Sequence, residues 1–170
     1  DIHEIPDKTF SSLISLVPQD IFLFKGSILE NIIFDREISD SPSFQRVLEE
    51  SNITEIISRY AEGMEKDVGE GGINLSLGER QLVCLARAFA NASDILILDE
   101  ATSHIDPETE GLIQDAIRRI VRDKTAIIVA HRLSTVKEAD RIVVISSGRV
   151  VEQGDHNELI KQGKLYPLLM

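Results

Sequence analysis

Hydrophobic positions along this chain follow two rhythms, and the switch between them sets the expected architecture. Residues 95–98 are Ile, Leu, Ile and Leu, an unbroken apolar run that leads directly into Asp99 and Glu100. A short run without alternation predicts a strand buried on both faces, as in a parallel α/β sheet. Residues 125–130 (TAIIVA) repeat the pattern and end at His131, and residues 13–17 (LISLV) give a third strand, stopped by Pro18. Elsewhere the spacing becomes helical. Leu82, Leu85, Ala86 and Phe89 fall at i, i+3, i+4 and i+7, one apolar face of a helix with Ser76 and Gly78 at its amino end. Ile113, Ala116, Ile117, Ile120 and Val121 form the buried stripe of another. That helix opens with Asp106 as N-cap and Pro107 in the first position, with Glu108 and Glu110 at the positive end of its dipole.

The remaining stretches complete the outline. Residues 1–10, with Pro6 and several charges, read as a surface connection. Residues 27–34 predict a short helix, and Asp40 or Ser41 caps another that begins at Pro42 and carries Phe44, Val47 and Leu48. Residues 52–60 predict a further helical piece with Ile53, Ile56 and Ile57 on one face. Together these make a helical insertion ahead of the Ser76 helix. Near the carboxyl end, residues 141–146 and 149–152 predict a strand pair around the turn dipeptide Ser147-Gly148. Asp155 and Glu158 form a capping box for a last helix that stops near Gly163. No internal repeat or low-complexity segment interrupts the pattern.

Composition narrows the function classes. A chain of 170 residues suits one domain with a real core. The net charge of −11 argues against a general nucleic-acid or anionic-membrane binder, since both need clustered positive charge. The single cysteine, Cys84, lies inside the helical LVCLARA run and reads as a small buried hydrophobe. One cysteine allows no disulfide framework, which suits a reducing compartment. No apolar run approaches eighteen residues, and no signal peptide is apparent.

Candidate chemistry gathers at the strand and helix ends. Asp99 and Glu100 close a buried strand, the place where open α/β sheets bind ligands. Asp99 suits Mg²⁺, which prefers hard oxygens, and Glu100 suits a general base on a water. The start of the Ser76 helix, with small residues, is a site for phosphate. The glycine-rich stretch 67–74 (DVGEGGIN) is a turn rather than a phosphate-binding G-x-x-x-x-G-K-[ST] loop, because no lysine follows. On the residues alone, Gln19 reads as a polar loop residue and His131 as a structural histidine.

Several segments change that reading together. LSLGERQ, LILDEATSHID and VAHRLSTVKEAD, with VPQDIFLFKGSILENI upstream, closely resemble the signature loop, the Walker B segment with its D-loop, the H-loop and the Q-loop of ABC transporter ATPase domains of exporter type. The motifs stand in the family's order, and the resemblance covers nearly the whole chain. It implies a P-loop NTPase (RecA-like) core sheet with an inserted α-helical subdomain, divided as a Q-loop region (1–24), a helical subdomain (25–75) and the remainder (76–170). It implies ATP and Mg²⁺ as ligands, with Asp99 and Gln19 on the metal, Glu100 as general base, His131 on the γ-phosphate, and Ser76, Gly78, Glu79 and Asp106 at the nucleotide or dimer seam. It also implies a second ATPase domain packed head to tail, and transmembrane domains meeting Phe22, Phe24 and Glu70 at the cytoplasmic face of a bacterial inner membrane, with no nucleic acid as partner.

The chain also departs from the family pattern. The signature reads LSLGE where the family has LSGGQ, so Leu77 replaces a glycine and Glu79 a glutamine. A carboxylate there repels phosphate unless Arg80 or a metal offsets it, or unless it points to ribose or solvent. No Walker A motif occurs, and in the family it precedes the point where this sequence begins. The core sheet is therefore expected to be incomplete at its amino-terminal side, with a gap or an exposed strand edge, and the 170 residues alone are expected not to hydrolyse ATP. The expected function is export driven by ATP hydrolysis, of the multidrug- or lipid-exporter kind. Two alternatives are a degenerate half that only completes a partner's site and a soluble ATPase of the DNA-repair kind.

Overall fold

The computed structural model describes residues 2–34, 42–91, 93–99, 105–122, 124–130 and 133–169, with the side chains of Ile2, Pro42, Leu133 and Ser134 excepted. Glu100 and His131, and the helix-capping choice between Asp40 and Ser41, lie outside the described residues. The chain falls into two compact units, 1–128 and 129–170.

In the first unit a three-stranded sheet runs in the order β1 (Ile14–Val17), β2 (Ile95–Asp99), β3 (Thr125–Val129). β1 and β2 are parallel, with Leu16 opposite Ile97 and Val17 opposite Leu98. The first residues are helical rather than a plain connection: a 3₁₀ turn, Ile2–Glu4, precedes α1 (Asp7–Leu13). Leu13, expected in the strand, is the last residue of that helix. Pro6 sits at its N-cap, where a fixed φ and a missing N–H are tolerated, and the helix consumes the polar run DKTFSS.

The helical insertion comprises α2 (Ile28–Ile33), α3 (Pro42–Glu50) and α4 (Ile53–Ile57). α2 starts at a capping box, Ser27 with Glu30, and ends at Phe34 in the left-handed region. α4 is shorter than residues 52–60 suggested and gives way to turns at Ser58.

α5 (Leu77–Ala90) is the centre of this unit. Its spacing predicted one buried face, but Val83 and Cys84 are as buried as Leu82, Leu85 and Ala86. α2, α3, α4, α6 (Pro107–Ile120) and β1 all pack against it, so nearly every side of the helix is covered. Burying a leucine such as Leu82 fully contributes about 1.5–3 kcal/mol. Burial also pushes the Cys84 thiol above its ordinary range, as befits a core side chain.

The sheet is covered unevenly. Ser15 and Val17 of β1 and Leu96 and Leu98 of β2 are buried, whereas Leu16 is 61% and Ile127 of β3 is 56% exposed. The expectation of burial on both faces is therefore corrected for β1 and β3, while in β2 the alternate residues Ile95 and Ile97 are half-buried. α5 and α6 lie in the core formed with the inward residues, and among the described residues the outward side chains Leu16 and Ile127 face solvent.

The second unit holds α7 (Leu133–Lys137), the antiparallel pair β4 (Ile142–Ser146) and β5 (Arg149–Gly154), and α8 (His156–Gln162). Ser147 and Gly148 make the turn, both with positive φ. Asp155 and Glu158 form the predicted capping box, and Gly163 ends α8 in the left-handed region. Ile142, Val144, Leu159 and Tyr166 make a small core. Buried Glu152 supports it by accepting from the amides of Leu165 (2.6 Å) and Tyr166 (3.2 Å).

Candidate nucleotide-facing site

The parallel register brings two predicted site residues to one edge of the sheet. β1 ends at Val17, opposite Leu98, and Gln19 follows two residues later. β2 continues one residue past Leu98 to Asp99. Gln19 is exposed and Asp99 partly so, at the carboxyl ends of neighbouring strands about 4.8 Å apart. An amide oxygen and a carboxylate there match the hard-oxygen preference of Mg²⁺. Among the described residues there is no group of three or more His, Cys, Asp or Glu side chains able to hold a metal alone. A cation at this edge would need oxygens from elsewhere, as Mg²⁺ commonly takes from water and phosphate.

The second candidate feature is the start of α5. Ser76 is the N-cap, and its hydroxyl accepts from the Glu79 amide at 3.3 Å. The Glu79 carboxylate reaches back to accept from the Ser76 amide at 2.8 Å. Its other oxygen accepts from the Tyr60 hydroxyl at 3.1 Å and lies 3.9 Å from an Arg59 guanidinium nitrogen. Glu79 is 7% exposed, so its carboxylate faces the protein interior rather than solvent. Burial, followed by the Glu79 carboxylate, pushes the Tyr60 hydroxyl above its usual range.

Gly78 is buried for a packing reason. A Cβ there would overlap Thr109 Cγ2 and lie 3.1 Å from Ile105 Cγ2. The bare glycine lets α5 approach the start of α6 closely. At that start Asp106 caps α6 by accepting from the Thr109 amide at 2.9 Å. This bond holds its carboxyl below the ordinary carboxylate range. Arg59 reaches the same helix end through Glu108, at 3.4 Å.

A third cluster is aromatic. Phe22 and Phe24 are 56% and 46% exposed, with their rings edge to face at 5.2 Å. Between them Leu23 is fully buried and anchors the segment. Asn31 holds the Phe24 backbone at both ends: Oδ1 accepts from its amide and Nδ2 donates to its carbonyl, each at 2.9 Å. Arg87 donates to the Asn31 carbonyl (2.8 Å), to Asn31 Oδ1 (3.0 Å) and to the Phe22 carbonyl (3.4 Å). Its guanidinium also stands over the Phe24 and Phe34 rings. Exposed Glu70 belongs to a glycine-rich turn tied to the same region, since the Val68 amide donates to the Gly26 carbonyl at 2.9 Å.

Sequence reasoning passed over Asn31, Arg87, Tyr60 and Arg59. One signal was available for Arg87: a cation inside the apolar run LVCLARAFA must find partners once the helix is buried. Tyr60 and Arg59 carried no such mark.

Comparison with known proteins agrees with this geometry. The family model described as "ABC transporter" matches residues 1–103. The ATP-dependent lipid A-core flippase of Xanthomonas oryzae pv. oryzae (strain MAFF 311018) is 44% identical over 154 residues, covering 90% of this chain and 26% of that protein. The uncharacterized ABC transporter ATP-binding protein YknV of Bacillus subtilis (strain 168) is 44% identical over 170 residues, covering 97% of this chain and 28% of that one. Among solved structures, a bacterial Atm1-family ABC exporter with ATP bound superposes with a TM-score of 0.88 at 35% identity, covering 99% of this chain and 30% of the other. The chain thus spans between a quarter and a third of each of these proteins. A family match over more than half of the chain, in agreement with the parallel sheet and its helical insertion, places this polypeptide in the ABC transporter family, with the P-loop NTPase fold of an ABC ATPase domain.

Proposed function

We propose that this chain serves in an exporter that couples ATP hydrolysis to movement of a substrate across a bacterial inner membrane, and that it lies on the cytoplasmic face. The observation that carries this reading is the placement of Gln19 and Asp99 at the carboxyl ends of neighbouring parallel strands, at the edge where open α/β sheets take ligands. Phosphoryl transfer to water is mainly positioning and charge stabilisation. Asp99 and Gln19 would hold Mg²⁺, which when bound neutralises phosphate charge. Glu100 follows Asp99 and takes the proton of the attacking water, while His131, after β3, donates to the γ-phosphate. Ser76 and Gly78 meet the nucleotide of a second, head-to-tail ATPase domain, and Asp106 lies at the seam between the two. The functional division is then Q-loop region (1–24), helical subdomain (25–75) and motif-bearing remainder (76–170).

Phe22, Phe24 and the Glu70 turn form the contact with the transmembrane domains. The likeness to a lipid A-core flippase supports an amphiphilic, lipid-like cargo. Among the described residues no helix is long and apolar enough to cross a membrane, so in this reading the membrane-spanning part is separate from the segments described.

The test is Glu100→Gln in the full-length transporter. ATP turnover is expected to fall by about 10²- to 10⁴-fold, the usual contribution of a positioned base. Unchanged turnover refutes the assignment and favours a degenerate half that completes its partner's site, a reading that Leu77 and Glu79 in the signature support.

A further inference from the structure

We infer that Glu79 is a positioning residue. Turned inward, it clasps the start of α5 to the segment after α4 and so fixes how Ser76 is presented. The inference rests on the reading that Ser76 faces a nucleotide phosphate.

Four observations carry it. Glu79 is 7% exposed, which for a carboxylate requires partners. One oxygen holds the Ser76 amide at 2.8 Å. The other accepts from Tyr60 at 3.1 Å, with Arg59 at 3.9 Å. Arg59 continues to Glu108 at 3.4 Å, in the first turn of α6. A helix-capping carboxylate needs only the bond to the N-cap amide. Here the same carboxylate also binds side chains from a separate segment.

The consequence concerns charge. A carboxylate at this place in the signature repels phosphate if it faces the ligand. Directed at Tyr60 and Arg59, it lies opposite a hydroxyl proton and a cation. The Ser76 hydroxyl is then oriented by its bond to the Glu79 amide, and the backbone about it by the Glu79 carboxylate. Displacement of the Arg59–Tyr60 segment pulls directly on the N-cap, so a change in the helical insertion reaches the signature through this linkage.

The test has two arms. In the first, amide hydrogen exchange at Ser76 is followed in the full-length transporter and in its Glu79→Gln, Glu79→Ala, Tyr60→Phe and Glu79→Ala/Tyr60→Phe variants. Loss of one hydrogen bond speeds exchange by about two- to tenfold. Glu79→Ala is expected to show that increase, and Glu79→Gln, whose Oε1 still accepts from the Ser76 amide while its Nε2 donates to the Tyr60 hydroxyl oxygen, to recover most of the protection. Tyr60→Phe keeps the cap and the ring yet is expected to speed Ser76 exchange. The double variant is expected to exchange no faster than Glu79→Ala alone, because both changes cut one linkage. If Tyr60→Phe leaves Ser76 exchange unchanged, or if the two effects add, Glu79 is an ordinary cap and the clasp is refuted. The second arm measures the half-saturating ATP concentration of the full-length transporter, expected to rise in Glu79→Ala and Tyr60→Phe while maximal turnover falls less. If exchange responds as expected and ATP dependence does not, the clasp stands and the placement of Ser76 at a nucleotide fails.

Discussion

Replacing Gly78 by alanine tests whether the signature glycine is required by packing. An added Cβ would overlap Thr109 Cγ2 and sit 3.1 Å from Ile105 Cγ2 and 3.2 Å from Thr109 Cβ. Carbon atoms pack favourably at about 3.5–4.0 Å, so all three contacts are too short. Thr109 is 1% exposed and β-branched, and its own amide is bonded to Asp106, so it has little room to withdraw. Overpacking of this kind costs about 1–3 kcal/mol. The intrinsic helix preference of alanine over glycine offsets at most about 1 kcal/mol in a helix interior, and less this near the N-terminus. The net expectation is a loss of about 1–2 kcal/mol. For a chain of this size that lowers the melting temperature by about 2–8 °C. Urea unfolding followed by far-UV circular dichroism should show a lower midpoint with an unchanged slope. Thr109→Ser removes the overlapping methyl group, so the Gly78→Ala/Thr109→Ser pair should be more stable than the sum of the two single effects. Gly78→Ala at or above wild-type stability, or strict additivity in the pair, would refute the packing argument and leave only a ligand-facing role for this glycine.

Two further outcomes follow from the geometry. Arg87→Ala removes three donations and the guanidinium above two rings, and should cost about 1–3 kcal/mol in urea unfolding; Arg87→Lys, lacking the planar fork, should recover less than half of it, and full recovery would mean that charge alone matters. Asp106→Asn keeps the cap but not the charge. The folded state lowers the carboxyl pKa of Asp106 below its ordinary 3.8, chiefly through the Thr109 amide. Its stabilisation is therefore present above the unfolded-state value and lost as pH falls through the lowered folded value. The wild-type advantage in thermal melts should shrink as pH is taken from 7 to below 4, and a gap constant over that range would overturn the assignment.

How far the sequence carries this protein is clearest at particular residues. Ser27, Ser76, Asp106 and Asp155 were recognisable as helix starts, because an N-cap is decided within four residues of chain. Ile95 to Leu98 announced a strand through their lack of alternation, and the motif order announced the family. The family match and the structural likeness bear out that recognition, while the roles of the individual site residues remain the proposals tested above. The error over α1 was also local: DKTFSS has no apolar periodicity, and only the adjacent start of β1 at Ile14 shows where that helix ends.

What the chain determined by itself was short-range: the caps, the turn at Ser147-Gly148, the apolar runs, and the order in which phosphate- and metal-suited residues appear. Tertiary structure alone decided which of those residues meet. The parallel register set the end of β1, two residues before Gln19, level with the end of β2, and close packing of α5 on α6 gave Gly78 its reason to be glycine. Burial turned Glu79 towards Tyr60 and Arg59. The physical reason is that a cap is satisfied by bonds within one turn, whereas the direction of a buried carboxylate depends on which segment brings a proton or a cation to it.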